Sequence, residues 1–158
     1  MPSIKVHKPG LCTTVQDIGR IGYQQFGIPV SGVMDEFAFI VANYLVESDK
    51  NNAVLEIPFL GPTLEFDFDV TIAITGGEIQ AKINNQDVKM WESINVKKGD
   101  NLSFGNLKSG MRAYLAFSAE IDVPVVMGSK STLLKSKLGG FEGRQLKMGD
   151  ITVSYTHL

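Results

Sequence analysis

The sequence has few residues of the kinds that build disulfides, metal sites and basic surfaces. It contains one cysteine, Cys12, and two histidines, His7 and His157, among 158 residues. One cysteine cannot form an internal disulfide, and two histidines without clustered cysteines or an HExxH pattern give no metal motif. The formal net charge is -2, so no chain-wide basic field attracts phosphate backbones or anionic lipids. We therefore expect no metal, no nucleic acid and no membrane among its partners.

Long hydrophobic runs are also missing. The apolar stretches are of strand length, far below the ~20 residues that a helix needs to cross a bilayer. Residues 1–5 lack the apolar segment of a secretory signal. Together with the single cysteine, which suits a reducing compartment, these absences predict a cytoplasmic location. The 44% of apolar residues is enough for one compact domain or two small fused ones.

What the sequence does have is glycine and short apolar runs. Sixteen glycines and several turn dipeptides separate these runs, which predicts a mostly β fold. Apolar and acidic residues alternate over 64–70, and Asn84-Asn85 predicts a hairpin turn. In the strand over 111–117, the alternation places Arg112 on the face opposite the most apolar side chains. We expect three aromatic side chains to lie in the core: Phe66, Phe68 and Trp91.

One segment has helical periodicity. Between Asp35 and Val46, five apolar residues recur at offsets of three, four, seven and eight, which is typical of an amphipathic helix. They are Phe37, Ile40, Val41, Tyr44 and Leu45. Asp35 is placed to cap the helix N-terminus, where a carboxylate meets unpaired amides. We predict one amphipathic helix near residues 35–46 with these five residues on its apolar face.

The densest set of polar residues lies between the glycines of residues 9–35. Arg20 can bind a carboxylate through two parallel hydrogen bonds, and Gln16 can contact an amide or ureido group. The alternative is a loop in which Asp17 and Arg20 pair with each other and the glycines satisfy turn geometry. The residue types alone leave both interpretations open.

Three further residues or segments have rival interpretations. Glu56 lies in an apolar strand, so it is either desolvated for acid–base chemistry or part of a buried ion pair. Cys12 is interpreted as an inert buried cysteine, because no histidine is placed beside it as a base. The segment 128–132 lacks the glycines of a phosphate-binding loop, so we reject that interpretation.

Ordered segments across the chain resemble one family, the biotin-dependent carboxyltransferase-like proteins that include allophanate hydrolase subunit 2 and the C-type subunit of 5-oxoprolinase. The resembling segments are 9–23, 27–35, 42–46, 53–56, 61–66, 75–77, 110–116, 125–132 and 139–144. The resemblance implies a fold of cyclophilin-like β-barrels. It also implies that residues 1–150 are the amino-terminal portion of a domain about twice this long. Residues 151–158 are set aside as a tail outside the fold, because residues 154–158 match nothing in the family pattern.

The resemblance implies a function in amide chemistry. The first hypothesis is a subunit of ATP-dependent 5-oxoprolinase, which opens the lactam of 5-oxoproline to glutamate. It would work with a sister subunit, of the allophanate hydrolase subunit 1 type or the B-type of oxoprolinase, and be inactive or partly active alone. The alternatives are carboxyl transfer from carboxybiotin to urea or a related amide, and a non-enzymatic antagonist of a kinase inhibitor. ATP would be bound by this chain or by its partner, and biotin would sit on a separate carrier protein.

Ten residues are the candidate site residues under this resemblance. Those expected to take part in catalysis are Asp17, Arg20, Asp35 and Glu56. Those expected to bind substrate are Gln16, Gly22, Ser31, Gly32, Asn43 and Arg112. Lys130 stands where the family usually has arginine, and a lysine cannot reproduce a bidentate contact to an anion. We therefore expect no such anion-binding role at position 130.

Overall fold

The computed structural model describes residues 2–156, in which one α-helix and ten strands are formed. The strands are β1 Ser3–Lys8, β2 Thr14–Gln16, β3 Val54–Pro58, β4 Thr63–Phe66, β5 Val70–Ile83, β6 Gln86–Val88, β7 Ser93–Val96, β8 Asn101–Phe117, β9 Ala119–Ile121 and β10 Ile151–Thr156. The helix is α1, Glu36–Leu45. The prediction of a mostly β fold with one helix is confirmed. No helix within residues 2–156 is long and apolar enough to cross a membrane.

The strands form one antiparallel sheet that curls into a half-barrel. The order along the main path is β2-β3-β8-β4-β1-β10-β9, and β5 pairs with β6, β7 and β8. Strand β8 is long enough to pair with β4 at its start and with β3 at its end, while β5 follows most of its length. Because each sheet residue faces the side opposite to its neighbour, β8 presents one face to the inside of the curl and the other to α1.

The main core fills the inside of the curl. Phe66 is 0% exposed and Phe68 is 8% exposed, as predicted. The prediction for Trp91 is wrong, because its side chain is 42% exposed. Trp91 lies in the turn between β6 and β7 with φ 63°, and its ring packs against Phe37 at 6.3 Å between centroids. Residues 89–92, which include Trp91, thus belong to neither strand.

The helix is where the sequence predicts it, but it buries a different face. Asp35 caps its N-terminus by accepting the Ala38 N–H at 3.1 Å, as predicted. The residues that pack against the sheet are Ala38, Phe39, Ala42 and Asn43, while Phe37, Ile40 and Tyr44 are exposed. Small side chains let the helix approach closely enough for the Thr75 hydroxyl to donate to the Ala38 carbonyl at 2.7 Å. Of the five residues predicted for the apolar face, Phe37, Ile40 and Tyr44 therefore face away from the sheet, while Leu45 is partly buried against the residues packed between helix and sheet.

The structure corrects the exclusion of the chain's end from the fold. Residues Ile151–Thr156 form β10, which pairs with β1 and β9 through contacts such as Ser3 with Val153 and Ile121 with Ser154. A strand between two others cannot be an appended tail. His157 and Leu158 lie outside the described residues. That residues 1–150 are one portion of a larger domain stays a prediction.

Candidate functional site

The predicted site residues separate into two regions. The first, which we call the Asp17 cluster, consists of Asp17, Arg20, Ser129 and Ser131. The Asp17 carboxylate is 4% exposed and accepts four hydrogen bonds, from the Ser129 and Ser131 hydroxyls and from the Gly19 and Lys130 backbone N–H groups. These bonds join the loop after β2 to the loop after β9. A carboxylate with this many donors is already fully engaged by the protein.

Arg20 is enclosed within the same cluster. Its side chain is 0% exposed, and it donates from Nε to the Val126 carbonyl at 3.0 Å and from Nη1 to the Ser31 hydroxyl at 3.2 Å. Burial lowers the pKa of Arg20, and the charge of Asp17 partly opposes this shift. Gly139 seals the guanidinium, since a Cβ there would overlap Nη2. In this arrangement Arg20 stabilises the loops and is not accessible to a substrate.

Gln16, Asp17 and Arg20 do not open together onto one cavity. A cavity of about 200 Å³ borders Asp17, Ser129 and Lys130. Gln16 and Arg20 are not among the described residues that line it. Gln16 donates to Thr14 Oγ1 at 3.0 Å and to the Thr132 carbonyl at 3.1 Å. Their roles as substrate contacts stay a prediction, which this burial disfavours.

Of the four other residues predicted to bind substrate, three make contacts within the protein and one lies exposed. The Asn43 amide is 0% exposed and donates to the Asn52 carbonyl at 2.8 Å, which closes the loop after α1. Ser31 accepts the hydrogen bond from Arg20. A Cβ at Gly32 would lie 2.6 Å from the Ile18 carbonyl oxygen, so glycine there allows two backbones to touch. Gly22 is exposed with φ 99°, and no atom lies within 4 Å of the position that a Cβ would take there.

The second region is a cavity of about 460 Å³, which we call the Arg112 cavity. It lies at the N-terminus of α1, beside the point where β5 and β8 separate. Its lining residues are Met34, Asp35, Gly76, Gly77, Gly110, Met111 and Arg112. Two of the predicted site residues, Asp35 and Arg112, are thus brought together here.

A break in strand pairing creates this cavity. On β5 and β8, Gly76 pairs with Ala113 and Glu78 pairs with Ser109, so Gly77 lies opposite three residues, 110–112. The extra residues bulge outward, as extra residues in a ladder do. A Cβ at Gly76 would lie 2.6 Å from the Arg112 carbonyl oxygen, and one at Gly77 would lie 2.5 Å from that of Ser109. Only glycine fits at both positions, which leaves bare backbone along the cavity wall.

A buried carboxylate and a buried tyrosine lie beside the cavity. Glu56 is 7% exposed, and its Oε2 accepts the Tyr114 hydroxyl at 2.8 Å and the Met34 N–H at 2.9 Å. Its Oε1 lies 3.5 Å from Arg112 Nε. Glu56 is therefore part of an ion pair, the second of the two alternatives that the sequence left open, although its partner Arg112 is only partly buried. A proton-accepting role stays a prediction.

Tyr114 connects Glu56 to the helix N-terminus. Its hydroxyl, which is fully buried, accepts the Asp35 N–H at 2.9 Å while it donates to Glu56. Burial, followed by the charge of Glu56 and the hydrogen bond to it, raises the pKa of Tyr114 well above its ordinary value. The phenol therefore stays protonated at neutral pH. Glu56, Tyr114 and the first turn of α1 form one continuous hydrogen-bonded unit.

Arg112 is the positively charged group among the residues that line this cavity, and the exposed Asp35 carboxylate lines it as well. The Arg112 side chain is 28% exposed and lines the cavity, and Glu56 is its one ion-pair partner among the described residues. The atoms given for that contact are Arg112 Nε and Glu56 Oε1, 3.5 Å apart. A guanidinium in this state can bind a carboxylate or a polarised carbonyl oxygen through two hydrogen bonds.

Sequence reasoning missed part of this site. Tyr114 was not predicted as a site residue, although its alternation with Arg112 on β8 places both on one face of the strand. Gly76, Gly77 and Gly110 belong to segments that carried the family resemblance, but their spacing gives no sign that they line a cavity. Only the register of β5 against β8 shows it.

The described residues offer no obvious place for a metal or a phosphate group. Within residues 2–156, no three His, Cys, Asp or Glu side chains are grouped so as to hold a metal ion. The Lys130 ammonium donates to the Ile121 carbonyl at 3.0 Å, and the Ser131 hydroxyl is bound to Asp17. This segment therefore does not fit a nucleotide phosphate in the way a phosphate-binding loop does.

The sequence and the fold match those of a known family. The sequence pattern described as "Carboxyltransferase domain, subdomain A and B" matches residues 26–155, so the chain belongs to the carboxyltransferase domain family. The resemblance seen in the sequence is thereby confirmed.

Individual relatives lie in two groups of enzymes. The chain is 44% identical to the C-type subunit of 5-oxoprolinase of Escherichia coli over 147 residues, which is 93% of this chain and 47% of the relative. It is 41% identical to urea amidolyase of Saccharomyces cerevisiae over 150 residues, which is 94% of this chain and 8% of the relative. The crystal structure of the Kluyveromyces lactis urea amidolyase superimposes with a TM-score of 0.94 at 41% identity, covering 96% of this chain and 9% of that one. This chain thus spans about half of the bacterial relative and a small part of the fungal ones.

Proposed function

We propose that this chain is part of a 5-oxoprolinase subunit, which acts with a sister subunit to open the lactam of 5-oxoproline to glutamate at the expense of ATP. The observation that carries the proposal is Arg112, an accessible guanidinium in a glycine-walled cavity beside the Glu56–Tyr114 pair. The 44% identity to the C-type 5-oxoprolinase subunit of E. coli supports this choice of substrate.

In the proposal each group has a distinct role. The terminal nitrogens of Arg112 bind the carboxylate of 5-oxoproline, and the bare backbone at Gly76 and Gly77 lets the ring approach closely. Glu56 accepts at Oε1 a proton from the water that attacks the activated lactam carbon, and this proton passes to the ring nitrogen as the C–N bond breaks. Oε1 is the acceptor because Oε2 is already occupied by two donors. Tyr114 stays protonated and keeps Glu56 in place.

ATP would be held by the partner subunit rather than by this chain. The loop 128–132 does not fit a phosphate, as its lysine and serine side chains are already bound within the protein. ATP supplies the activation of the lactam carbonyl oxygen when it is bound. The chain alone is therefore expected to be inactive or partly active.

Carboxyl transfer from carboxybiotin to urea is the second candidate. The 41% identity to urea amidolyase, at the same coverage of this chain, favours it. Arg112 would then bind the transferred carboxylate, with biotin carried on a separate protein.

Turnover by the chain mixed with its sister subunit tests the proposal. Glutamate release from 5-oxoproline and ATP is expected, with kcat/KM reduced at least about tenfold by Arg112→Lys because lysine cannot make two parallel hydrogen bonds. Arg144→Lys, which alters an arginine that pairs with Asp150 instead, is the matched control and should stay within about twofold of wild type. Carboxyl transfer from carboxybiotin to urea, without glutamate release, would replace the first proposal with the second.

A further inference from the structure

Hydrogen bonds connect the Asp17 cluster to residues 30–35, which we call the connecting segment. The Arg20 N–H donates to the Val30 carbonyl at 2.7 Å, and Arg20 Nη1 donates to the Ser31 hydroxyl at 3.2 Å. The Val33 N–H donates to the Asp17 carbonyl at 2.9 Å. The start of the segment is therefore held by both charged residues of the cluster.

The end of the connecting segment supplies two donors to the other region. The Met34 N–H binds Glu56 Oε2 at 2.9 Å, and the Asp35 N–H binds the Tyr114 hydroxyl at 2.9 Å. Both are backbone groups, so their positions depend on the path of the segment and not on the side chains of residues 34 and 35.

The path of the segment needs external support. Ser31 has φ 49°, a conformation that a non-glycine residue adopts rarely without support, whereas the φ of 93° at Gly32 is one that glycine adopts readily. Ser31 is the residue whose hydroxyl accepts from Arg20. The hydrogen bond from Arg20 is thus made at Ser31, the residue of the segment with the unfavourable backbone conformation.

We propose that Asp17 and Arg20 are positioning residues, which hold the connecting segment so that the Met34 N–H stays on the Glu56 carboxylate. They act on the reaction through Glu56 and do not touch the substrate. The catalytic consequence rests on the proposed function, in which Glu56 accepts a proton, whereas the structural consequence at Met34 does not.

Amide hydrogen exchange in the ¹⁵N-labelled protein measures the structural consequence directly. Ser31→Ala removes the acceptor of Arg20 Nη1 and should speed exchange at the Met34 and Asp35 N–H groups about tenfold. Ser48→Ala is the matched control, because it also removes a half-buried hydroxyl, one that donates to the Phe117 carbonyl at 2.9 Å. It should leave Met34 exchange within about twofold of wild type. Arg20→Lys is a second variant, in which exchange at the Met34 and Asp35 N–H groups should also become faster.

Turnover with the sister subunit measures the catalytic consequence. Ser31→Ala should lower kcat about tenfold and leave KM within about twofold, because the substrate contact at Arg112 is unchanged. Equal exchange at Met34 in Ser31→Ala and Ser48→Ala would overturn the positioning role. No turnover by the wild type would refute the proposed function, and the exchange data would still decide the positioning role.

Discussion

The Asp17 cluster and the Arg112 cavity each place an arginine near a carboxylate, but the two arginines have opposite surroundings. Arg20 is 0% exposed and donates to protein acceptors on two loops. The Arg112 side chain is 28% exposed and has one contact, through Nε, at 3.5 Å. A buried arginine that donates to acceptors of the protein stabilises the fold, whereas a partly exposed arginine at a cavity can bind a ligand. Substitutions in the two regions should therefore affect different properties.

The largest expected effect is on stability in the Asp17 cluster. Asp17→Ala leaves four donors without their acceptor and removes the negative charge that partly offsets the burial of Arg20, which should lower the free energy of unfolding by about 3–5 kcal/mol. Arg112→Ala should lower it by only about 1 kcal/mol, because Glu56 keeps two other donors. Urea denaturation of both variants measures the difference. Equal losses would mean that the two regions do not differ in the way described.

A pair of glycines tests how tightly the cluster is packed. Gly139→Ala brings a Cβ into overlap with Arg20 Nη2 at φ 67°, so both crowding and backbone strain apply. We expect a loss of about 3 kcal/mol. Gly22→Ala meets nothing within 4 Å at φ 99° and should lose about 1 kcal/mol through the backbone alone. Similar thermal unfolding temperatures for the two variants would show that Arg20 is not sealed by close packing.

The Tyr114 hydroxyl gives an intermediate effect within the cavity region. Tyr114→Phe removes the donor to Glu56 and the acceptor of the Asp35 N–H, and should lower the free energy of unfolding by about 1–2 kcal/mol. Tyr44→Phe is the control, because that ring is 79% exposed and its loss of a hydroxyl should change nothing measurable. Matching values for the two variants in urea denaturation would contradict the buried hydrogen-bonded unit.

The smallest effect lies outside both regions and depends on pH. Burial alone would raise the pKa of Asp150, but hydrogen bonds from Arg144 and the Lys147 N–H, with their charges, outweigh it and lower the pKa. A lowered pKa in the folded state gives stability that is present above the unfolded value, near ~3.9, and is lost as the pH falls through the folded value. Asp150→Asn should therefore cost about 1 kcal/mol at pH 7 and almost nothing once the pH has fallen below the folded pKa of Asp150. A difference that stays constant over this range would exclude the carboxylate as its source.

The sequence predicted local structure better than it predicted which charged residues stabilise the fold and which line a cavity. Turn residues and alternation predicted the strands, and the Asp35 cap followed from a carboxylate before a helical repeat. The helix face was wrong because Ala38 and Ala42 let the backbone approach the sheet, and hydrophobicity alone favours the larger Phe37 and Tyr44. Close packing decides which face of the helix lies against the sheet, and the periodicity of apolar residues does not report how closely side chains pack.

The two regions could not be separated from the sequence for a different reason. Gln16, Asp17 and Arg20 are polar and lie among glycines, which suits a buried cluster as well as a binding site. What distinguishes them is the set of partners contributed by the loop 126–132, more than a hundred residues away in the chain. Likewise, the Arg112 cavity depends on a register shift between β5 and β8. Both are long-range features that no local pattern reports.

Titration of the ¹⁵N-labelled chain with 5-oxoproline tests most directly the claim that Arg112, and not Arg20, serves the ligand. We predict amide shift changes at Gly76, Gly77 and Gly110 that weaken strongly in Arg112→Lys. Changes confined to the amides of Gly19, Lys130 and Ser131, or binding that is unaffected by Arg112→Lys, would contradict it.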